Sequence, residues 1–181
     1  CILVITKILC GGFIVTDIKK IDVLWDDNPV DISAEANFIW SIANKLRGTY
    51  MPDKYGDVII PMTIIRRFEC VLAKTRADVV AKYNENPNYP AKAMYRLSGY
   101  QFYNVSEFTL QELCNDADHI AENFKAYIQG FSDNIKDILN NLDMETHIKK
   151  MDEGGCLFNM VKAFSELDLS IESFDSIKMG Y

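Results

Sequence analysis

The sequence has few of the residues from which metal sites and disulfide frameworks are built. Its only histidines are His119 and His147, and neither a His-x-x-x-His nor a His-Glu-x-x-His pattern occurs, so we interpret both as solvated helix residues. The five cysteines are scattered and include no Cys-x-x-Cys pair. An odd, scattered set favours reduced, buried thiols in a cytoplasmic protein over a disulfide framework. The cysteines are Cys1, Cys10, Cys70, Cys114 and Cys156.

The chain also lacks a local motif for catalysis or nucleotide binding. Gly11-Gly12 follows apolar residues, but no Gly-x-Gly-x-x-Gly pattern and no alternation of strands and helices continues from it. No recognisable motif places a base beside a serine or cysteine nucleophile. The sequence therefore offers no candidate for the convergent pocket that a complete small enzyme would need.

The N-terminal apolar run is too short for the roughly 20 residues of a membrane span, and Lys7 interrupts it. A signal peptide would begin with basic residues, and this run does not. We interpret residues 1–14 as upstream translated sequence or an artefact, with a natural start near Val15 or Thr16. The alternative is a genuine β-strand or arm that packs on a neighbour. Residues 1–30 are thus assigned to an N-terminal extension.

The net negative charge of the chain argues against nucleic-acid binding over its whole surface. The chain carries 26 acidic and 19 basic residues, a formal net charge of −7, while nucleic-acid binding draws on clustered Lys and Arg. Its 49% hydrophobic residues are enough for the core of one domain. The basic residues are densest in one stretch, either as solvated helix faces or as a patch that touches DNA phosphates in a larger assembly. They are Lys45, Arg47, Lys54, Arg66, Arg67, Lys74 and Arg76.

Hydrophobic periodicity predicts helices throughout residues 31–181, and hence a mainly α, irregular multi-helix bundle with room for one short strand pair. The first helix runs over 31–46 and stops at Gly48. The second, from residue 53 into the low 80s, has the widest apolar face and should be the buried central helix, kinked at Pro61, with Ile65, Phe68 and Leu72 in the core. Arg66 and Arg67 are adjacent and must point in different directions, one toward an acidic residue of the domain.

The second half contains the clearest local signal. Thr109 and Glu112 have capping-box spacing at a helix N-terminus, and Phe108 with Leu113 supplies the flanking hydrophobic contact. The remaining elements are a loop at 84–90, a short helix at 91–97, a short strand or extended piece at 101–105, and helices at 116–130, 132–142, 144–152 and 155–167.

Four segments, in this order, resemble the N-terminal helical domain of a type I restriction-modification DNA methyltransferase, the modification subunit. Residues 38–48 are similar to its first helix. Residues 55–72 are similar to its second, including the internal proline and the arginine pair. Residues 127–139 are similar to a third signature, and Met179-Gly180-Tyr181 to the segment that leads into the methylase domain.

The resemblance implies a non-catalytic, cytoplasmic domain of an adenine-specific DNA methyltransferase. In that family two modification subunits join one specificity subunit, which reads a bipartite DNA site, and the helical domain helps to close the assembly around DNA. The catalytic domain methylates adenine N6 with S-adenosylmethionine, so this cofactor is implied for the full-length parent and not for this fragment. No catalytic residue can be carried over. The candidates for contact with DNA or partner subunits are Lys45, Arg47, Arg66 and Arg67.

A DNA adenine methyltransferase needs an Asn/Asp-Pro-Pro-Tyr/Phe loop to hold the flipped base. Asn86-Pro87-Asn88-Tyr89 comes near it, but Asn88 replaces the second proline and the loop follows a helix. We interpret it as a surface turn. A free-standing helical protein-interaction module unrelated to DNA stays open as the alternative function.

Overall fold

The computed structural model describes residues 33–170, and these residues form nine α-helices. The mainly α prediction is confirmed. The predictions for residues 1–30 and for Met179–Tyr181 lie outside the described residues. None of the described helices is both long and apolar enough to span a membrane. The helices are α1 (Ser33–Leu46), α2 (Tyr55–Leu72), α3 (Arg76–Glu85), α4 (Ala91–Ser98), α5 (Leu110–Leu113), α6 (Ile120–Gln129), α7 (Asp133–Asn141), α8 (Met144–Glu153) and α9 (Leu157–Ser165).

Helix α1 follows its amphipathic pattern. Ile39, Ile42 and Leu46 are buried along one stripe, as the spacing predicts. The chain turns at Gly48, whose φ of +92° lies in the region that glycine tolerates and that side chains disfavour. A 3-10 turn, Pro52–Lys54, then leads into α2.

The single long helix predicted from residue 53 into the low 80s is wrong, because the structure divides it into α2 and α3. Thr75 marks the break: its N–H donates to the carbonyl of Leu72 at 3.0 Å, and its hydroxyl donates to the carbonyl of Ser98 at 3.0 Å. The second bond joins residues far apart in the sequence. Residues 73–75 contain no glycine or proline, so no local stop signal announced the break.

Helix α2 runs through Pro61, which is buried, and the bend expected there stays a prediction. Ile65 and Leu72 are in the core, as predicted. The prediction that Phe68 lies in the core is wrong, because this side chain is only partly buried. It packs at the edge of the core, with its ring centroid 4.7 Å from that of Phe102.

The centre of the packing is α9 rather than α2. Its residues Met160, Val161 and Phe164 are fully buried, and the helix packs against α1, α2, α5, α6 and α8. The ring of Phe164 meets the edge of Phe38 at a centroid distance of 5.3 Å, which ties the last helix to the first. Within residues 33–170, α9 therefore packs against both the first and the later helices.

Of the short strand or extended piece predicted at 101–105, the structure contains no regular strand but an isolated bridge between Asn104 and Phe131. Asn104 is buried, and its amide donates to the carbonyl of Tyr127 at 3.3 Å. A Cβ on Gly130 would lie only 2.5 Å from the Asn104 Oδ1 atom, so this close approach requires glycine. Backbone bonds flank this contact, because the Val105 N–H donates to the Gly130 carbonyl at 2.9 Å and the Ser132 N–H donates to the Tyr103 carbonyl at 3.0 Å.

The capping box at α5 is confirmed. The Glu112 N–H donates to Thr109 Oγ1 at 3.1 Å, and the Thr109 N–H donates to the Glu112 carboxylate at 2.7 Å. Of the later helices, α6 begins four residues after its predicted start, because Asp116 accepts the His119 N–H in a preceding turn at 3.3 Å. Helices α7, α8 and α9 lie within two residues of their predicted bounds.

Two neighbouring isoleucines of α2 test the assignment of its buried face. Ile65 is fully buried and Ile64 only partly, so Ile65→Ala should lower the free energy of unfolding by about 2–5 kcal/mol and Ile64→Ala by clearly less. Chemical denaturation of both variants measures the difference for the same chemical change. Equal losses would show that α2 presents a different face to the core.

Candidate functional site

The structure separates the four candidate contact residues into two pairs. Lys45 and Arg47 are exposed near the end of α1. Arg66 and Arg67 are partly buried on α2, where they meet the segment that follows α9. The four side chains therefore do not form one basic patch.

Helix α1 presents Trp40 and Asn44 on one side, and Arg47 directly follows the helix. We call these three residues the α1 outer face. Trp40 and Asn44 share a side because positions four apart are neighbours on a helix, and Trp40 is 55% exposed. The Arg47 guanidinium donates to Asn44 Oδ1 at 3.0 Å, and Lys45 at the edge of this face donates to Ser41 Oγ at 3.3 Å. Both cations keep their charge available to a partner.

Sequence reasoning did not single out Trp40. A signal was present, because the tryptophan falls outside the apolar stripe of α1 that points to the core. Tryptophan and arginine are the side chains most enriched at the energetic centres of protein interfaces. Close in sequence, Met51 is 69% exposed after the Gly48 turn, while Lys54 pairs with Asp57 at 3.5 Å.

The second pair belongs to a polar network around Glu69, whose side chain is only 10% exposed. Its carboxylate pairs with Arg66 and accepts the Leu110 N–H at 2.8 Å and the Tyr127 hydroxyl at 3.0 Å. Burial, and then the adjacent Glu69 charge, raise the pKa of Tyr127 well above its usual value, so the hydroxyl keeps its proton and donates. The prediction that one arginine pairs with an acidic residue of the domain is confirmed for Arg66.

The two arginines also bind backbone carbonyls of residues Leu167–Ser170, which we call the exit segment. Arg66 Nε donates to the carbonyl of Leu167 at 2.7 Å. Arg67 Nη1 donates to the carbonyls of Leu169 and of Ser170, the latter at 2.9 Å. A role for either arginine in contact with DNA stays a prediction, while Lys45 and Arg47 are the more accessible candidates.

Arg76, at the start of α3, also has a long-range role. Its guanidinium donates to the carbonyls of Ser106 and Glu107 and lies 3.6 Å from the Glu112 carboxylate. These bonds attach the α3–α4 hairpin to the capping box of α5. Arg76 is therefore engaged within the domain.

The Asn86-Pro87-Asn88-Tyr89 motif lies at the exposed tip between α3 and α4. The Asn86 side chain accepts the Asn88 N–H at 3.1 Å, and the Lys82 ammonium lies 5.3 Å from the centre of the Tyr89 ring. Both contacts are local, and an Asx turn of this kind is ordinary loop chemistry. The location agrees with the interpretation as a surface turn.

The two histidines have different surroundings. His119 is exposed and lies 3.1 Å from the Asp116 carboxylate, whose hydrogen bond and charge raise the pKa of the imidazole. The interpretation as a solvated residue is wrong for His147 on α8, which is partly buried with its ring 3.2 Å from the Tyr50 hydroxyl. Burial lowers the pKa of His147. Burial likewise raises the pKa of Tyr50 to about 12. Among residues 33–170 no group of three or more His, Cys, Asp or Glu side chains could hold a metal ion.

Residues 33–170 form a bundle of α-helices, so this part of the chain is an all-helical domain. The HsdM N-terminal domain family matches residues 36–164, most of the chain, and the chain therefore belongs to it. This is the N-terminal domain of the modification subunit of type I restriction-modification systems. No curated protein and no solved structure matches the chain significantly.

The opposite pKa shifts of the two histidines predict opposite effects of pH on stability. Because the pKa of His147 is lowered, its contribution is present above the unfolded value of about 6.5 and is lost as the pH falls below it. Because the pKa of His119 is raised, its contribution is present below about 6.5 and is lost as the pH rises through the folded value.

Both contributions can be measured from the free energy of unfolding between about pH 5 and 8, for the wild type and for the variants His147→Gln and His119→Gln. The stability advantage of the wild type over His147→Gln should grow with pH, and its advantage over His119→Gln should shrink. Parallel curves for the two variants would contradict the assigned environments.

Proposed function

We propose that this domain serves the assembly and DNA engagement of a type I restriction-modification complex and performs no chemistry itself. The α1 outer face is the observation that carries the proposal. It combines an exposed tryptophan with an accessible arginine and has Lys45 at its edge. The parent subunit is proposed to methylate adenine N6 with S-adenosylmethionine in the cytoplasm, with a specificity subunit and a second modification subunit as partners.

The charge balance limits what DNA contact can contribute. The chain has a net charge of −7, so a general electrostatic attraction to DNA is absent and any contact must be local. Lys45 and Arg47 are suited to phosphate contact because their hydrogen bonds are to exposed neutral side chains, Ser41 and Asn44, which phosphate oxygens can displace. Such contacts position a protein on DNA without reading its sequence.

A double charge reversal tests the DNA role in the complete enzyme. Lys45→Glu with Arg47→Glu should weaken binding about equally for matched and mismatched sites and reduce the salt dependence by about two phosphate contacts. Fluorescence anisotropy over a range of salt concentrations measures both quantities. The matched control is Lys92→Glu with Arg96→Glu, the same charge change at exposed positions of α4.

Unchanged affinity at low salt, or an equal loss in the α4 control, would contradict DNA contact by α1. The contribution of the domain would then be subunit assembly alone.

Truncation of the exposed tryptophan tests the assembly role. Trp40→Ala should weaken association of the modification subunit with its partner subunits by about 2 kcal/mol or more, while the isolated domain keeps its stability. Sedimentation or calorimetric titration of the purified subunits measures the loss. Ile138→Ala is the control, since Ile138 on α7 is also an exposed apolar residue, at 42%.

Equal affinities for Trp40→Ala and Ile138→Ala would show that the α1 outer face is not an interface. If the domain is instead a free-standing interaction module unrelated to DNA, neither the wild type nor any variant should bind DNA or the partner subunits.

A further inference from the structure

The exit segment is held against the domain although it is not helical. After α9 ends at Ser165, Leu169 is still 98% buried, with an exposed fraction of 2%. The Ser170 N–H folds back onto the Asp168 carboxylate at 2.9 Å. The last described residues thus follow a defined path over the surface of α2.

Two adjacent guanidinium groups determine that path. Arg66 Nε binds the carbonyl of Leu167, and Arg67 Nη1 binds those of Leu169 and Ser170. Neighbouring helical residues point about 100° apart, so the two side chains reach the segment from different directions. A planar guanidinium can serve two acceptors in fixed geometry, which a lysine ammonium on its flexible stem does not.

The anchor is itself fixed to the rest of the domain. Arg66 pairs with Glu69, and Glu69 accepts hydrogen bonds from Leu110 at the start of α5 and from Tyr127 on α6. The guanidinium that holds Leu167 is therefore oriented by three helices. Any displacement of the exit segment would have to break bonds to the buried network or leave carbonyls without donors.

We infer that Arg66 and Arg67 are positioning residues that set the direction in which the chain leaves the helical domain, and thereby the placement of the part of the subunit that follows. The inference rests on the proposed function, in which that following part carries the methylase. The α1 outer face and the exit anchor then have separate tasks. The α1 outer face contacts partners. Arg66 and Arg67 fix the path of the backbone that connects the helical domain to the catalytic part.

The first test measures the anchor in this chain. Arg67→Gln is the chosen variant, because removal of Arg66 would also leave the nearly buried Glu69 carboxylate without its cation. Hydrogen exchange at residues 167–170 should become about tenfold faster or more, while exchange in α9 stays unchanged. Arg96→Gln, the same change at an exposed position of α4, is the control, and Arg67→Lys should restore the protection only in part.

The second test uses the full-length modification subunit in its complex. Spin labels on α1 and on the catalytic part report their distance distribution, and steady-state assays report methylation. Arg67→Gln should broaden the distances and lower kcat about tenfold or more, with the KM for S-adenosylmethionine unchanged. Loss of folded protein alone would lower kcat through the active fraction, but it would not broaden the distances within folded complexes.

The outcomes are distinguishable. Exchange at 167–170 that matches the Arg96→Gln control would overturn the anchor, whatever the enzyme does. Faster exchange with wild-type distances and kcat would overturn the positioning role. A wild-type complex without methylation activity would refute the proposed function, and the exchange experiment would then still decide whether the anchor exists.

Discussion

The interactions of the Glu69 carboxylate are the constraint on which the rest of the structure depends most. Glu69 is on α2 with a tenth of its side chain exposed, and a charge so placed is costly unless it is paired and hydrogen-bonded. The partners that meet this need come from α2 itself, from the first turn of α5 and from α6. The same carboxylate therefore orients Arg66, receives a backbone N–H that α5 cannot satisfy internally, and holds the Tyr127 hydroxyl in its protonated form.

The packing of the core explains why one pair of basic residues binds the exit segment and the other pair is exposed. Arg66 and Arg67 are directed inward because the path of the chain after α9 offers carbonyls that lack helical partners. Lys45 and Arg47 are directed outward because the opposite stripe of α1 is filled by the core, including Ile42 and Leu46. Cations from one basic stretch of sequence thus divide into internal ties and an accessible surface. The division supports the proposal that DNA or subunit contact belongs to α1.

Much of the fold could be predicted from local pattern. The amphipathic spacing located α1 and the later helices, Gly48 marked a true helix end, and the spacing of Thr109 and Glu112 specified a capping box that the structure contains. Errors arose where a distant group decided the local conformation. Thr75 marks the break of a helix and bonds to Ser98, and the segment 101–105 meets the end of α6 in an isolated bridge beside the bond from Asn104 to Tyr127. Of the site, the pairing of Arg66 with an acid was foreseeable from Glu69 three residues later, since such neighbours meet on a helix.

By itself, the sequence determined the helical class, the positions of most helices and the resemblance to the modification subunit, which the family match over residues 36–164 bears out. These properties depend on residues close together in the chain, whose periodicity and capping chemistry can be recognised without coordinates. Only the tertiary structure decided that α9 is the packing centre, that Trp40 is left at the surface, and that Arg66 and Arg67 bind a segment about a hundred residues away. The physical reason is that burial and long-range hydrogen bonds depend on which helices meet, and a one-dimensional pattern does not specify that.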